Sequence, residues 1–237
     1  MKIARFLFWL SCLVVLALLL AGPGVRLGLW PFPLGFVIIR YATLVGIAVM
    51  VLALLLLIVP RSRKAAARYL LLALALALTG VIVPLWILHQ AKSLPPIHDI
   101  TTDTVDVPVF VAVRPLREGA HNPIDYAGAE IATQQQQAYP EIRPLVLPVP
   151  TAEAFDRALA TAEAMGWEVI ASVTSEGRIE ATATTPMFGF KDDVVIRIRE
   201  AGTGSRIDLR SLSRVGRSDL GANARRIRAF LQRLAAA

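Results

Sequence analysis

Aspartate and glutamate are missing from the first 97 residues, and all eighteen carboxylates of the 237-residue chain lie between Asp99 and Asp219. An ionised carboxylate in hydrocarbon costs on the order of several kcal/mol. A long stretch without one, filled with Leu, Ala and Val runs, is therefore what a lipid environment selects, and a simple water-soluble protein is excluded. Cysteine is also scarce. Cys12 is the only one, so no intramolecular disulfide can form and the polar half must be held by its core alone. The Trp9-Leu10-Ser11 that precedes it is a poor lipid-attachment signal, which leaves Cys12 as a packed membrane thiol.

The charge divides as the carboxylates do. Residues 1–97 hold nine Lys/Arg and no acid, for +9; residues 98–237 hold sixteen Lys/Arg against eighteen Asp/Glu, for −2. The basic excess is thus a signal of membrane topology, and no nucleic-acid partner is expected, since that would need a basic excess on the polar half itself.

Three apolar segments, at 6–21, 34–59 and 69–88, approach or exceed the ~20 residues that a helix needs to cross hydrocarbon. Lys2 and Arg5 make the first resemble a signal peptide. Leu19-Leu20-Ala21 is a poor cleavage site and two spans follow, so an uncleaved helix is expected. The linker between the second and third spans carries Arg61, Arg63, Lys64 and Arg68, whereas the loop between the first two carries only Arg26. The positive-inside rule then puts the N-terminus in the cytoplasm and everything after the third span outside, which in a double-membraned bacterium is the periplasm. Arg40 reads as a snorkelling interface residue beside Tyr41, and Pro84 as a kink or an end of the third helix. The spans lack the buried acids and histidines of a transporter.

The domain division expected is a transmembrane region at 1–92, an extended linker at 93–108, and a soluble domain at 109–237. The Pro95-Pro96 pair favours the extended linker, 109–113 reads as a short strand, and 114–150 reads as an irregular wrap with a short helix around 127–138. From Thr151 the pattern is regular: a helix up to Gly166, alternating segments at 167–173, 178–185, 193–199 and 205–215, and an amphipathic helix at 219–234. The fold class is α+β, a four-stranded antiparallel meander with two helices on one face. Trp167, Val169, Ala171, Val173, Ile179, Ala181, Ala183, Val194, Ile196, Ile198, Ile207 and Leu209 would face those helices. An open opposite face would display Glu168, Arg178, Glu180, Thr182, Thr184, Arg197, Arg199, Arg206, Asp208, Arg210 and Arg214.

Phe188-Gly189-Phe190-Lys191-Asp192-Asp193-Val194-Val195, followed by the run from Ser211 through Arg214-Val215-Gly216-Arg217-Ser218-Asp219-Leu220-Gly221-Ala222-Asn223, resembles the domain-of-unknown-function 1499 (DUF1499) family. The stretch 95–104 resembles the opening of the same domain. The resemblance covers most of 95–234 and implies a membrane-attached or exported protein. It names a domain rather than a reaction.

Candidate site residues follow from the residues themselves. Arg197, Arg199, Arg210 and Arg214 would stand on the open face. Arg217, Ser218 and Asn223 flank a strand-to-helix turn in which Gly216 and Gly221 relieve the backbone, and a helix N-terminus beside arginines is a seat for phosphate or carboxylate. Asp219 is the expected cap. Asp192 and Asp193, adjacent on a strand, point to opposite faces and cannot form an acid/base pair alone, so a salt bridge to Arg214 or Arg217 is their expected role.

His98, Asp99 and Asp103 match no metal motif, no serine sits in a nucleophile elbow, and neither a metal nor a cofactor is expected. The reading favoured is an anchored extracytoplasmic binding or scaffolding domain. Its partners would be the lipid bilayer, an anionic envelope component, or a membrane or periplasmic protein. The alternative is a hydrolase or transferase using His98 with Asp192 or Asp193.

Overall fold

The carboxylate-free half forms three helices: α1 (Lys2–Arg26), α2 (Phe32–Ile58) and α3 (Pro60–Ser93). These coordinates are a computed structural model that describes residues 1–236; Ala237, the last residue of the expected domain, lies outside the described residues. Lys2–Arg26, Phe32–Ile58 and Ala66–Ser93 are each long and apolar enough to cross a membrane. The shortest has 25 residues, about 37 Å at the helical rise, against a hydrocarbon core of about 30 Å.

The helices outrun the apolar segments. α1 continues through Pro23 to Arg26, although the proline removes one rung of the hydrogen-bond ladder. The basic run 61–68, read as a linker, opens α3 and is set off from its apolar part by a kink at Ala66 (φ −148°, ψ 16°). Pro84 lies within the helix.

Small residues let these helices approach. Ala21, Ala53, Ala73 and Ala77 are fully buried, and a Cβ added at Gly46 would meet Val81 at 3.2 Å. Arg5 lies over the Tyr69 ring at 5.5 Å, which puts the start of α1 beside the apolar start of α3. The chain divides into two compact units, and this first one comprises Met1–Lys92 together with Pro186–Gly189.

The second unit, Ser93–Thr185 with the chain from Phe190, is the α+β domain. Its elements are β1 (Asp99–Thr101), α4 (Ala129–Ala138), β2 (Leu145–Leu147), α5 (Thr151–Ala164), β3 (Glu168–Val173), β4 (Arg178–Thr184), β5 (Lys191–Ala201), β6 (Gly204–Ser213) and α6 (Ala222–Ala236). The four expected strands form the antiparallel meander β3-β4-β5-β6. Two short strands not expected extend it, since β1 and β2 both pair with the free edge of β6. Residues 99–101, read as linker, are drawn in because Ile97 and Ile100 are buried in the core. Beyond β1 there is no further strand among the described residues. The Gln135 side chain takes that place, accepting from the Thr101 N–H (2.9 Å) and donating to the Thr101 carbonyl (2.6 Å).

Helices α5 and α6 cover one face, and their Phe155, Ala158, Ile227 and Phe230 pack on Ile179, Val194, Ile196 and Leu209. Trp167 stacks on Phe230 with ring centroids 5.3 Å apart. Most of the residues assigned to this face are there. Ala171 and Val173 are not, because a β-bulge between Val169 and Ala171 reverses the alternation and pairs them with Glu180 and Arg178 of the other face.

The opposite face is not open. The wrap closes over it, building a second small core of Phe110, Val113, Val195 and Leu212 with Ile124 and Ile170 packed against it. Residues 109–113 are consequently not a strand. Their N–H groups turn inward, and Val111, Ala112 and Val113 all donate to the fully buried Glu180 carboxylate at 2.9–3.1 Å. Sequence alternation assigned Glu180 to the right face but could not supply its cover, because backbone donors leave no compositional mark.

Candidate functional site: arginine seams on the covered face

Three arginine–carboxylate seams join the wrap to the sheet. The first starts from the register of β5 and β6, which sets Arg197 opposite Asp208 and Arg199 opposite Arg206. Three guanidiniums converge on one fully buried carboxylate: Arg197 and Arg199 each reach Asp208 Oδ2 at 3.0 Å, and Arg206 reaches Oδ1 at 3.0 Å. Asp103 and Asp106 of the linker segment close the group from above, through Arg206 at 2.6 Å and Arg199 at 2.5 Å. Hydrogen bonding from Arg199 and the nearby charge of Arg197 hold the Asp106 carboxyl below its ordinary value. Arg199 and Arg206 remain 39% and 35% exposed, so this seam presents more guanidinium surface to solvent than the other two while anchored from below.

Arg210 defines the second seam. Its fork meets Asp99 in bidentate fashion at 2.9 and 2.7 Å, donates to the Ile124 carbonyl at 2.8 Å, and lies against the Phe110 and Tyr126 rings at 5.0 and 5.5 Å. Arg210 is only 3% exposed, because β1 supplies its partner and the wrap its lid. Among the described residues the Tyr126 hydroxyl has no hydrogen-bond partner, and burial beside Asp99 pushes it up to about 12.

The third seam is centred on Asp193, fully buried at the start of β5. It accepts from Arg117 (2.6 Å), from Arg214 (3.0 and 2.8 Å) and from the Thr182 hydroxyl (2.8 Å). Burial alone would raise its carboxyl, but the hydrogen bonds from Arg214, Thr182 and Arg117 outweigh that and hold it below its usual value. Burial also lowers Arg117, although Asp193 opposes the effect.

Asp192 faces the other way, as adjacent strand residues must. It pairs with Arg226 of α6 at 2.5 Å. Arg226 also donates to Asn223 and Ser211, and Asn223, fully buried, donates to the His98 carbonyl and the Ser213 hydroxyl at 2.9 Å each. Asp219 caps α6 by accepting from the Gly221 and Asn223 N–H groups at 2.7 Å each, and burial raises its carboxyl. Gly216 (φ 93°) and Gly221 (φ 73°) hold the positive φ that the turn requires, and Leu220 between them shares it at 53°. Ser218 Oγ accepts from the Leu220 N–H at 3.3 Å, and the His98 ring contacts the Arg217 carbonyl at 3.2 Å through Nδ1. The Arg217 side chain is exposed and makes no ion pair among the described residues.

The candidate residues therefore fall into separate groups. Arg197 and Arg199 share the first seam, Arg210 and Arg214 anchor the second and third, and Ser218, Asp219 and Asn223 belong to the strand-to-helix turn. Sequence reasoning missed Arg117 and the pairing of Asp99 with Arg210, since these partners lie 76 and 111 residues apart. The convergence on Asp208 was accessible, because the alternation alone places Asp208 among Arg197, Arg199 and Arg206. Among the described residues no three His, Cys, Asp or Glu side chains cluster to hold a metal ion. A polar cleft of about 400 Å³ adjoins the first seam, lined by Thr102, Asp103, Gln136, Tyr139, Arg143 and Arg206 among others.

Together these features define a class: an antiparallel α+β domain locked by buried arginine–carboxylate pairs, in a chain that also carries three helices able to cross a membrane. The chain belongs to the family described as protein of unknown function (DUF1499), whose model matches residues 99–234. No curated protein matches the chain.

Proposed function

We propose that this is a membrane-anchored binding or scaffolding module without catalytic chemistry of its own, holding an anionic envelope component or an acidic partner through the half-exposed end of the first seam. The observation that carries this reading is the convergence of Arg197, Arg199 and Arg206 on Asp208 beside the polar cleft. Anchoring from below fixes the outer guanidiniums at little entropic cost to a ligand, and a planar fork suits carboxylate or phosphate. Arg199 and Arg206 are the proposed ligand contacts, while Arg197, Arg210, Arg214, Asn223 and the Ser218–Asp219 cap hold the frame that presents them; the exposed Arg217 follows the other end of the β5–β6 pair and is a separate candidate.

A hydrolase or transferase reading has less support. Asp193 is saturated by two arginines and a hydroxyl, and Asp192 is engaged by Arg226, which leaves neither poised to move a proton. The domain is proposed to lie on the extracytoplasmic side, with the helices crossing three times from a cytoplasmic N-terminus. Support comes from the basic run 61–68 opening the same helix whose Tyr69 meets Arg5, so that these cations gather at one end of the helical unit.

The test uses detergent-solubilised full-length protein on a sulfated-polysaccharide resin. Replacing Arg199 and Arg206 together by Ala is expected to lower the eluting salt concentration clearly below that of wild type. Elution at the wild-type position would remove the anion-binding reading.

A further inference from the structure

The connection between β4 and β5 is unusual in composition: Pro186-Met187-Phe188-Gly189 carries no charge, and these four residues belong to the compact unit of apolar helices. Within that unit Phe188 stacks on Phe36 of α2, with ring centroids 5.3 Å apart and planes at 20°, and Phe36 meets Phe32 edge-on at 6.3 Å. Arg26, at the end of α1, donates to the Pro186 carbonyl at 2.6 Å. The Trp30 indole donates to the Ala21 carbonyl at 3.2 Å.

Three glycines make room for this arrangement by their lack of a side chain. A Cβ at Gly22 would press on Met187, one at Gly24 would run into the Trp30 ring, and one at Gly35 would touch Phe188 at 3.4 Å. The seat is therefore shaped for these side chains.

The outward surface of this cluster is apolar. Met187 is 49% exposed, Phe36 50%, Leu29 67% and Leu27 72%. Arginine and aromatic side chains at the ends of membrane-length helices are what the zone between headgroups and acyl chains selects, since they offer an apolar body and a polar tip. A charge-free methionine and phenylalanine seated among them share that environment.

We propose that Pro186–Gly189 is a bilayer-interface loop, a fourth membrane contact in which Met187 enters the headgroup–acyl boundary and Phe188 is held against α2. The partner of this surface is the lipid bilayer itself, and the inference stands whether or not the arginine seam binds an anion.

The experiment uses the full chain in phosphatidylcholine/phosphatidylglycerol vesicles, with Cys12→Ala as background and one cysteine introduced at a time for an environment-sensitive fluorophore. Met187→Cys is the test position, and Leu29→Cys is a second exposed position of the same cluster. With phospholipid brominated near the headgroup, the label at 187 is expected to lose about half or more of its emission, as depth of insertion near the boundary requires, and to resist aqueous iodide. Strong iodide quenching without bromolipid quenching at 187 overturns the proposal, with the label at 29 quenched by lipid or not. Neither substitution disturbs a buried side chain, so loss of fold does not mimic either result.

Discussion

Replacing Asp193 with asparagine keeps the shape of the third seam and removes its charge. In the native domain this carboxylate faces Arg117 and Arg214, whose side chains are 4% and 18% exposed. The asparagine amide offers one acceptor oxygen where two guanidiniums and the Thr182 hydroxyl now donate, and its NH2 group confronts another donor. Arg117 would remain buried without a counter-charge, and breaking a buried pair in this way costs about 3–5 kcal/mol. Domains of this size are stable by about 5–15 kcal/mol in total, so a large share would be lost. With a urea slope near ~2 kcal/mol/M, the unfolding midpoint should fall by about 1.5–2.5 M.

Trp167 reports the transition, because it is buried against Phe230; replacing Trp9, Trp30 and Trp86 with Phe leaves it as the sole indole of the detergent-solubilised chain. Arg228→Ala is the comparison. Its partner Glu141 is 51% exposed, and such surface pairs contribute about 0–1 kcal/mol. Should the Asp193→Asn midpoint lie within about 0.5 M of the Arg228→Ala midpoint, the seam would not be holding the wrap, and the structural account of the covered face would fail.

Other consequences are open to direct measurement. The Asp193 carboxyl titrates below its unfolded value of about 3.9, so its contribution is full above that pH and is lost as pH falls through the lower folded value; an acid titration of wild type should show a steeper loss below about pH 4 than Asp193→Asn does. Glu180→Ala strands the N–H groups of Val111, Ala112 and Val113, and limited proteolysis should then cut first within 105–126, whereas cleavage there at the wild-type rate would refute its clamping role. Gly177→Ala should destabilise by about 1–2 kcal/mol from its left-handed backbone alone, with more from collision of the new methyl with the Ile198 carbonyl, read as a lowered thermal midpoint. Alkaline phosphatase fused after Ala237 should be active and a fluorescent protein fused there dark in a Sec-dependent bacterial host; the reverse pattern would overturn the proposed orientation.

What the sequence made legible follows from the range of each interaction. The three long helices, the meander β3-β4-β5-β6 and the helices α5 and α6 are written in local periodicity, so Ile179, Val194, Ile196 and Leu209 could be assigned to the core without coordinates. The bulge after Val169 escaped, because one added residue reverses a face without changing composition. The cover over the second face escaped for a different reason: Phe110 and Val113 reach it from an aperiodic segment, and Arg117 finds Asp193 across 76 residues. The alternating Arg and Asp of β5 and β6 looked like a solvated face. They are instead the underside of a lid, and only the contact between distant segments separates the two.

Gln135 has a consequence for self-association. A terminal strand ordinarily offers its amides to any passing chain, and stacking of sheets end to end is the usual outcome when nothing intervenes. Here one carboxamide satisfies both polar groups of Thr101, so at that position the border offers nothing to a copy of itself. Pairing through the sheet is left to β2, three residues long, and to β3, where the bulge distorts the row of free amides. Beside a membrane, where anchored molecules crowd in two dimensions, blunting of this kind disfavours edge-to-edge pairing.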